Sequence, residues 1–466
     1  MRTTIASTAI LAAMIFTAQP AQADSSAQRT SIPTGASAST AAEQARVAVH
    51  HRTGEAAIKF LGDRLARVAA KSHVTPDQLR KAFRTDHTVQ VDDDGNVMVA
   101  DALGGSGTTV TTGSTNTLLW PIANTLTLHS RASATRKIYL DFNGHTTSGT
   151  QWNTDVNRAS FNTPAFSRDG DTANFNVSEA AAIQAAYASV AEDFAPFDVD
   201  VTTEPPGVEA LRRTTTSDTS YGIRVVIGPN TWLNVSNSGY AKIGSFNWAS
   251  DTPAYCFVNA NTPTKQIAEC ISHETGHTVG LYHDGLTSGA PYYGGHNNWA
   301  PIMGNSYGRP VTQWSKGQYS GANNTQDDLY VIGDYLGWVA DDYVGTTATT
   351  VTLPAGTTRF GRITWGSGES DAFKFSLGST RTINIQSWEW IQQVDTNLNM
   401  RIRVTNSAGT VLASNSPTGN TRTNLTITLA AGTYYVFLDG VGEGTASTGY
   451  TNYASMGFYN LLLQFV

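Results

Sequence analysis

The sequence predicts three regions of different fold class. An α+β segment comes first. An α/β domain follows, built on one mixed, twisted sheet with a long helix across it. An all-β antiparallel sandwich comes last. Three observations carry this. Strand-like and helix-like periods alternate between about residues 134 and 340. Beyond about 342 no helical period remains, and alternating strands are separated by turn signals. The composition suits strands and turns, with only 14% charged residues and 42 glycines.

The chain has 466 residues, 40% of them hydrophobic. At about 150 residues per domain, roughly three units are expected, with enough apolar content for real cores. The net charge is −7, with no basic stripe or cluster. Nucleic acid and anionic membrane surfaces are therefore excluded as partners.

Residues 1–23 have one arginine, an apolar stretch from Ile5 to Phe16, and the small-x-small sequence Ala21-Gln22-Ala23. That pattern reads as a secretory signal peptide, too short in its apolar core to be a permanent span. A disordered tail is the rival reading. A secreted, extracellular protein without a membrane span is expected.

Residues 24–130 are expected to be a prosegment and linker. Ala41 to Ala70 is Ala-rich and helical in period. "TPDQLRKAF" follows, with Thr75 as helix cap before Pro76. "TVQVDDDGNVMVA" reads as two short strands around an Asp-Gly turn. "LGGSGTTVTTGSTNT" reads as an exposed linker. An ordinary N-terminal domain is the alternative.

Residues 131–340 form the α/β domain. "RKIYLDFNG", "DVDVTTE", "GIRVVIG", "SGYAKIGSFNW" and "AYCFVNA" read as strands. "SEAAAIQAAYASVAEDFAPF" reads as a helix capped by Ser178 and stopped by Pro196. "TPTKQIAECISHETGHTVGLY" is a long helix with Thr262 or Thr264 as cap, and "NTQDDLYVIGDYLG" is the last. Residues 341–466 hold "TRTINIQSWEW", "NMRIRVTNSAGTVLASN", "TNLTITLAAGTYYVFLDGV" and "GFYNLLLQFV" as the sandwich strands. Cys256 and Cys270 are the only cysteines. In an exported protein such a pair most simply forms one disulfide. Two free thiols, or a thiolate ligand, remain open.

The chemistry is concentrated in "HETGHTVGLYHD", residues 273–284. Residues four apart share a helix face, so His273 and His277 can aim at one ion. Gly280 can end the helix in a left-handed conformation, and His283 can return as a third ligand. Three neutral nitrogen ligands with one open position are the layout of a catalytic zinc site. Glu274 stands between the first two histidines, placed to act as general base on a water. Core histidines spaced this way by accident are the structural alternative.

This pattern, with "WAPIMGNSYG" placing Met303 downstream, resembles the metzincin zinc metalloproteases, and Asp284 resembles their adamalysin/reprolysin-like branch. The resemblance implies a zinc endopeptidase made as a zymogen, acting on protein or peptide substrates as a monomer. It implies one catalytic Zn2+ on His273, His277 and His283, Glu274 as base, Met303 beneath the metal, and a structural role for Asp284. Some members add a tyrosine ligand where this chain has Asn305; that role does not carry over, and Tyr307 is read as a wall residue. "SGYAKIGSF" (238–246) is expected to be the edge strand that pairs with substrate. Some metzincin prosegments block the zinc with a cysteine. This one has none, and an aspartate of "VDDDGNVMVAD" is the candidate substitute, against the simpler reading of an acidic turn.

The C-terminal region resembles the bacterial pre-peptidase C-terminal domain through "SGESDAFKFSL", "DTNLNMRIRV" and "AAGTYYVFLDG". This implies a bacterial source and a removable export or substrate-association module. Trp388, Trp390, Tyr434 and Tyr435 could form a binding face, with core packing the simpler reading. Asp169 and Asp171 in "RDGDTANFN" could hold Ca2+, with a solvated turn as the simpler reading. His296 reads as a loop histidine. Two rivals to the enzyme stay open: a secreted binding or adhesion protein with an inactive zinc site, and a zinc hydrolase acting on something other than protein.

Overall fold

The structure, a computed structural model, describes residues 30–35, 51–101, 117–234, 238–364, 368–391 and 397–466. The expected signal peptide and nearly all of the expected linker lie outside the described residues. What is described is a mixed α/β arrangement with an all-β C-terminal region.

A short strand, β1 (Ser31–Pro33), comes first. The segment 51–101 then forms α1 (Gly54–Leu61), α2 (Leu65–Lys71), α3 (Pro76–Thr85), β2 (Val89–Val91) and β3 (Val97–Asp101). Thr75 caps α3 as expected. Its hydroxyl accepts from Gln78 N at 3.2 Å, and Gln78 Oε1 accepts from Thr75 N at 2.7 Å. β2 and β3 form the expected hairpin. Asp92 closes its turn by accepting from the Asp94 and Asn96 amides. Leu61, Leu65, Leu79, Phe83 and the hairpin valines pack into one core, which also takes in Ile243 and Tyr282 from the following domain.

That domain comprises β4 (Arg136–Asp141), β5 (His145–Ser148), α4 (Gln151–Asp155), β6 (Ser160–Thr163), β7 (Asn174–Asn176), α5 (Val177–Asp193), β8 (Val199–Thr202), β9 (Gly222–Gly228), β10 (Gly239–Lys242), β11 (Ala254–Phe257), α6 (Thr264–Thr278), β12 (Trp299–Pro301), β13 (Val311–Gln313) and α7 (Asp328–Leu336). Its main sheet has seven strands in the order β2-β3-β10-β11-β9-β4-β8. β11, β9, β4 and β8 are parallel; β10 and β3 run antiparallel to their neighbours. Strand alternation divides the residues between two faces. Ile223, Val225, Ile227, Ala241 and Cys256 join the core under α5 and α6. Val226, Tyr240 and Tyr255 pack on the other face with Trp152, Phe161 and Trp232. Residues 117–130 also belong here: Ile122 and Leu128 enter the α5–α6 core.

Two helix starts differ from expectation. α5 is capped by Asn176, not Ser178. Asn176 Oδ1 accepts from both Ser178 N and Glu179 N, and Glu179 completes a capping box. α6 follows Pro263 with no side-chain cap. Thr262 instead uses its hydroxyl on the Asn259 amide. The expected substrate strand is shorter than 238–246, because Ser245–Asn247 is a single tight helical turn. Nor is it an edge, because β3 covers it.

The C-terminal region contains β14 (Arg359–Ile363), β15 (Ser370–Leu377), β16 (Arg381–Glu389), β17 (Met400–Asn406), β18 (Val411–Asn415), β19 (Thr423–Leu429), β20 (Gly432–Gly440) and β21 (Gly457–Phe465). They form two antiparallel four-stranded sheets, β14-β21-β16-β19 and β15-β20-β17-β18, around their own apolar core. Trp390 faces inward, against Trp120 and Phe458. Cys256 and Cys270 form a disulfide joining β11 to α6. Among the described residues no helix is long and apolar enough to cross a membrane.

Candidate metal centre

α6 presents His273 and His277 one turn apart, and both are buried. The helix stops at Thr278, and Gly280 takes φ +99°. A side chain there would be strained and would also approach Ser72 at 3.3 Å. The chain turns and brings His283 back, so that His277 Nε2 and His283 Nε2 are 3.1 Å apart.

Each imidazole is aimed by a contact at its other nitrogen. His273 Nδ1 lies 2.7 Å from the Ile302 carbonyl, and His277 Nδ1 lies 2.8 Å from the Leu281 carbonyl. A carbonyl only accepts, so both rings carry a proton on Nδ1 and turn Nε2 inward. His283 Nδ1 lies 2.5 Å from Asp86 Oδ2. Met303 lies under the helix: a Cβ on Gly276 would meet its sulfur at 2.5 Å. Asp284 is buried, with its amide donating to the Met303 carbonyl at 2.8 Å. Burial raises its carboxyl to about 7. Tyr307 is buried as well.

The fourth member is Asp101, at the C-terminal end of β3. Its Oδ2 is 3.1 Å from His273 Nε2 and 3.4 Å from His277 Nε2; its Oδ1 is 2.9 Å from His283 Nε2. Tyr292 donates to Oδ1 at 2.9 Å. The choice between an acidic turn and an aspartate at the histidines thus resolves into both. Asp92 makes the turn, and Asp101 reaches the histidines. Burial alone would raise the Asp101 carboxyl, but His283 and His273 outweigh it and hold it well below the usual range. Burial and then Asp101 push Glu274 well above its ordinary value. Burial lowers His277 to about 4. Asp101 and Asp86 overcome burial at His283 and raise it to about 10.

The residues fit a cation. Asp101, His273, His277 and His283 each offer a ligand atom, all within 4.8 Å of one another. Both Glu274 oxygens are buried without a hydrogen-bond partner. Polar atoms so close and so deeply buried are arranged for a shared positive centre. Three imidazoles and a carboxylate suit zinc, and calcium would want oxygens.

The remaining candidates fall elsewhere. Asn305 donates its amide to the Tyr293 carbonyl at 2.9 Å. His296 joins Tyr293 Oη and the Gly449 carbonyl, both at 2.7 Å. Asp169 and Asp171 are exposed and hold their own loop through the Asp171 and Ala173 amides. Among the described residues the other group with metal-ligand spacing is Asp341, Glu369 and Asp371. Sequence reasoning did not single out Asp86, Gly239 or Tyr292. Gly239 is required by geometry, since a Cβ there would lie 1.6 Å from Glu274 Oε1.

No family model matches the chain, and no curated protein matches it. Among solved structures, it is similar to the pre-peptidase C-terminal domain of collagenase from Bacillus anthracis, at 18% identity over 24% of this chain and 93% of that one, with a TM-score of 0.19. It is also similar to PliG, a periplasmic lysozyme inhibitor of g-type lysozyme, from Aeromonas hydrophila (11% identity, 25% of this chain and 96% of that one, TM-score 0.17) and from Salmonella Typhimurium (12%, 25% and 97%, TM-score 0.16).

Proposed function

We infer that this chain is the precursor of a secreted, zinc-dependent endopeptidase of the metzincin type. The observation that carries the reading is the convergence of three inward-facing histidine nitrogens beside Glu274, closed by Asp101 from the N-terminal segment. His273, His277 and His283 would hold the metal. Bound there, zinc supplies Lewis acidity to a water and to a peptide carbonyl. Glu274 takes the proton of the attacking water and delivers it to the leaving amine. β10 offers backbone groups to an extended peptide, which suits a protein substrate.

In the precursor, β3 occupies β10 and Asp101 occupies the histidines. The segment 51–101 is thus an autoinhibitory prosegment. The sandwich after residue 341 fits the expected C-terminal module, and the disulfide fits an oxidising, extracellular setting.

Casein hydrolysis by the processed protein tests the reading against Glu274→Ala. Loss of at least about a hundredfold in the variant is expected. Equal rates in the two proteins, or no hydrolysis by the processed wild type, would sink it. Zinc content measured on wild type and on His277→Ala separates a metal protein from an inert one.

A further inference from the structure

β3 lies along β10 as an extended peptide would. Asp101 pairs with Gly239, Ala100 with Tyr240, Val99 with Ala241, and Met98 with Lys242. The far end of this ladder holds an unusual group. Lys242 is fully buried, and its ammonium touches two carboxylates, Asp92 Oδ2 at 2.7 Å and Asp155 Oδ2 at 2.6 Å. It stands 4.7 Å over the Trp152 ring. Met98 Sδ approaches the same nitrogen at 3.6 Å.

The two carboxylates have different origins. Asp155 and Trp152 sit on α4 and stay with the α/β domain. Asp92 belongs to the hairpin and departs with the prosegment. Its departure leaves a lysine that had two anionic partners with one, in a trough walled by tryptophan. An ammonium desolvated in this way gains most from a charged acceptor. The neighbouring Gln151 also faces the hairpin's acids, donating to Asp94 Oδ2 at 2.6 Å.

We propose that Lys242 is a specificity-determining residue that selects a glutamate in the substrate, three residues N-terminal to the residue seated at the histidines. This rests on the endopeptidase reading and names its substrate class. A peptide taking the place of β3 puts one side chain where Met98 now lies. Methionine and glutamate have the same unbranched reach. A glutamate there carries its carboxylate to the ammonium that the Met98 sulfur touches now. The substrate then supplies the second anion that Asp92 supplies in the precursor. Glutamine in that position offers only a neutral acceptor.

The test uses the processed full chain and fluorogenic peptides built on one of its casein cleavage sites, with Glu or Gln at each position before the cut. At one position Glu should exceed Gln in kcat/KM by about tenfold, the scale of a hydrogen bond to a charged group. In Lys242→Gln, and in the apolar Lys242→Met, that ratio should fall to about one. A ratio that survives in both variants overturns the proposal. If neither variant folds, the wild-type scan still decides, because no position preferring Glu overturns it as well. Failure of the processed wild type to cut casein is distinguishable: it removes the endopeptidase reading, and this proposal with it, before any peptide is compared.

Discussion

Asp101 is one carboxylate among several in a short acidic stretch, and only its place at the end of β3 sets it apart. It touches all three histidines, and Asp86 from the same segment holds the third. If the chain is the proposed zinc precursor, both should help it retain metal. Zinc loss from the full chain under increasing chelator, read by metal analysis, should need about tenfold less chelator in Asp101→Ala, and Asp86→Ala should shift the same way. Unchanged retention in Asp101→Ala would mean that its carboxylate only packs there. Gly239 is the complementary case, because what matters is the absent side chain. Any Cβ displaces Glu274. Gly239→Ala should therefore cost the processed protein on the order of a hundredfold in casein hydrolysis, through misplacement of the base. Its zinc content should be unaltered, since no ligand is touched.

The elements that were legible in the sequence are those whose information is local. α6 could be read from its apolar period and from histidines spaced by one turn, and α3 from Thr75, Pro76 and Gln78. The alternating strands β16 to β21 could be read for the same reason. β5, β6, β12 and β13 were not legible, being short and rich in polar or turn residues. Asp101 could not be chosen from its neighbours, because the choice is made by pairing with β10, far along the chain. The α5 cap was misplaced by two residues because Ser178 and Asn176 are both good caps, and Glu179 completes the box only with Asn176. At the other end of α5, Asp193 is buried against Ser272 and Asn397. Desolvation and then Glu269 raise its carboxyl from 3.8 to about 7, with Lys265 opposing. A carboxyl raised on folding contributes stability below its unfolded value and loses it as pH rises through the folded value. Asp193→Asn should therefore gain stability on wild type as pH climbs from about 4 to about 7. Melting curves of both proteins at pH 5 and pH 8 check this; a constant difference between them would refute it.

At the scale of the whole molecule, the three regions are joined by polar contacts, several of them buried. Gln313 donates to the Asn397 carbonyl at 2.5 Å, Phe458 N to Glu192 at 3.1 Å, and Tyr453 Oη to Asp327 at 2.6 Å. A Cβ on Gly457 would meet Glu192 Oε1 at 1.9 Å. The C-terminal sandwich therefore closes polar groups at the base of α5, and its removal would uncover them. The N-terminal segment is tied down as thoroughly. Gln326 donates to the Ser72 carbonyl at 2.9 Å, Tyr335 to that of Lys71 at 3.1 Å, and Lys81 to that of Asn323 at 2.7 Å.

Those ties give the cutting of the chain an uncommon meaning. A single break between residues 102 and 116 would sever the covalent link and leave every one of these contacts in place. On the proposed reading the broken chain would be a two-piece complex, its inhibitory segment now a dissociable ligand, no longer held at the high local concentration of a tethered one. Onset of hydrolysis would then depend on how thinly the sample is spread. Nicked protein diluted a hundredfold should become active in a larger fraction of its molecules than the same protein kept concentrated, about as the escape of any tight ligand would dictate. A fraction indifferent to dilution would mean that a second cut, inside 51–101, is what frees the centre.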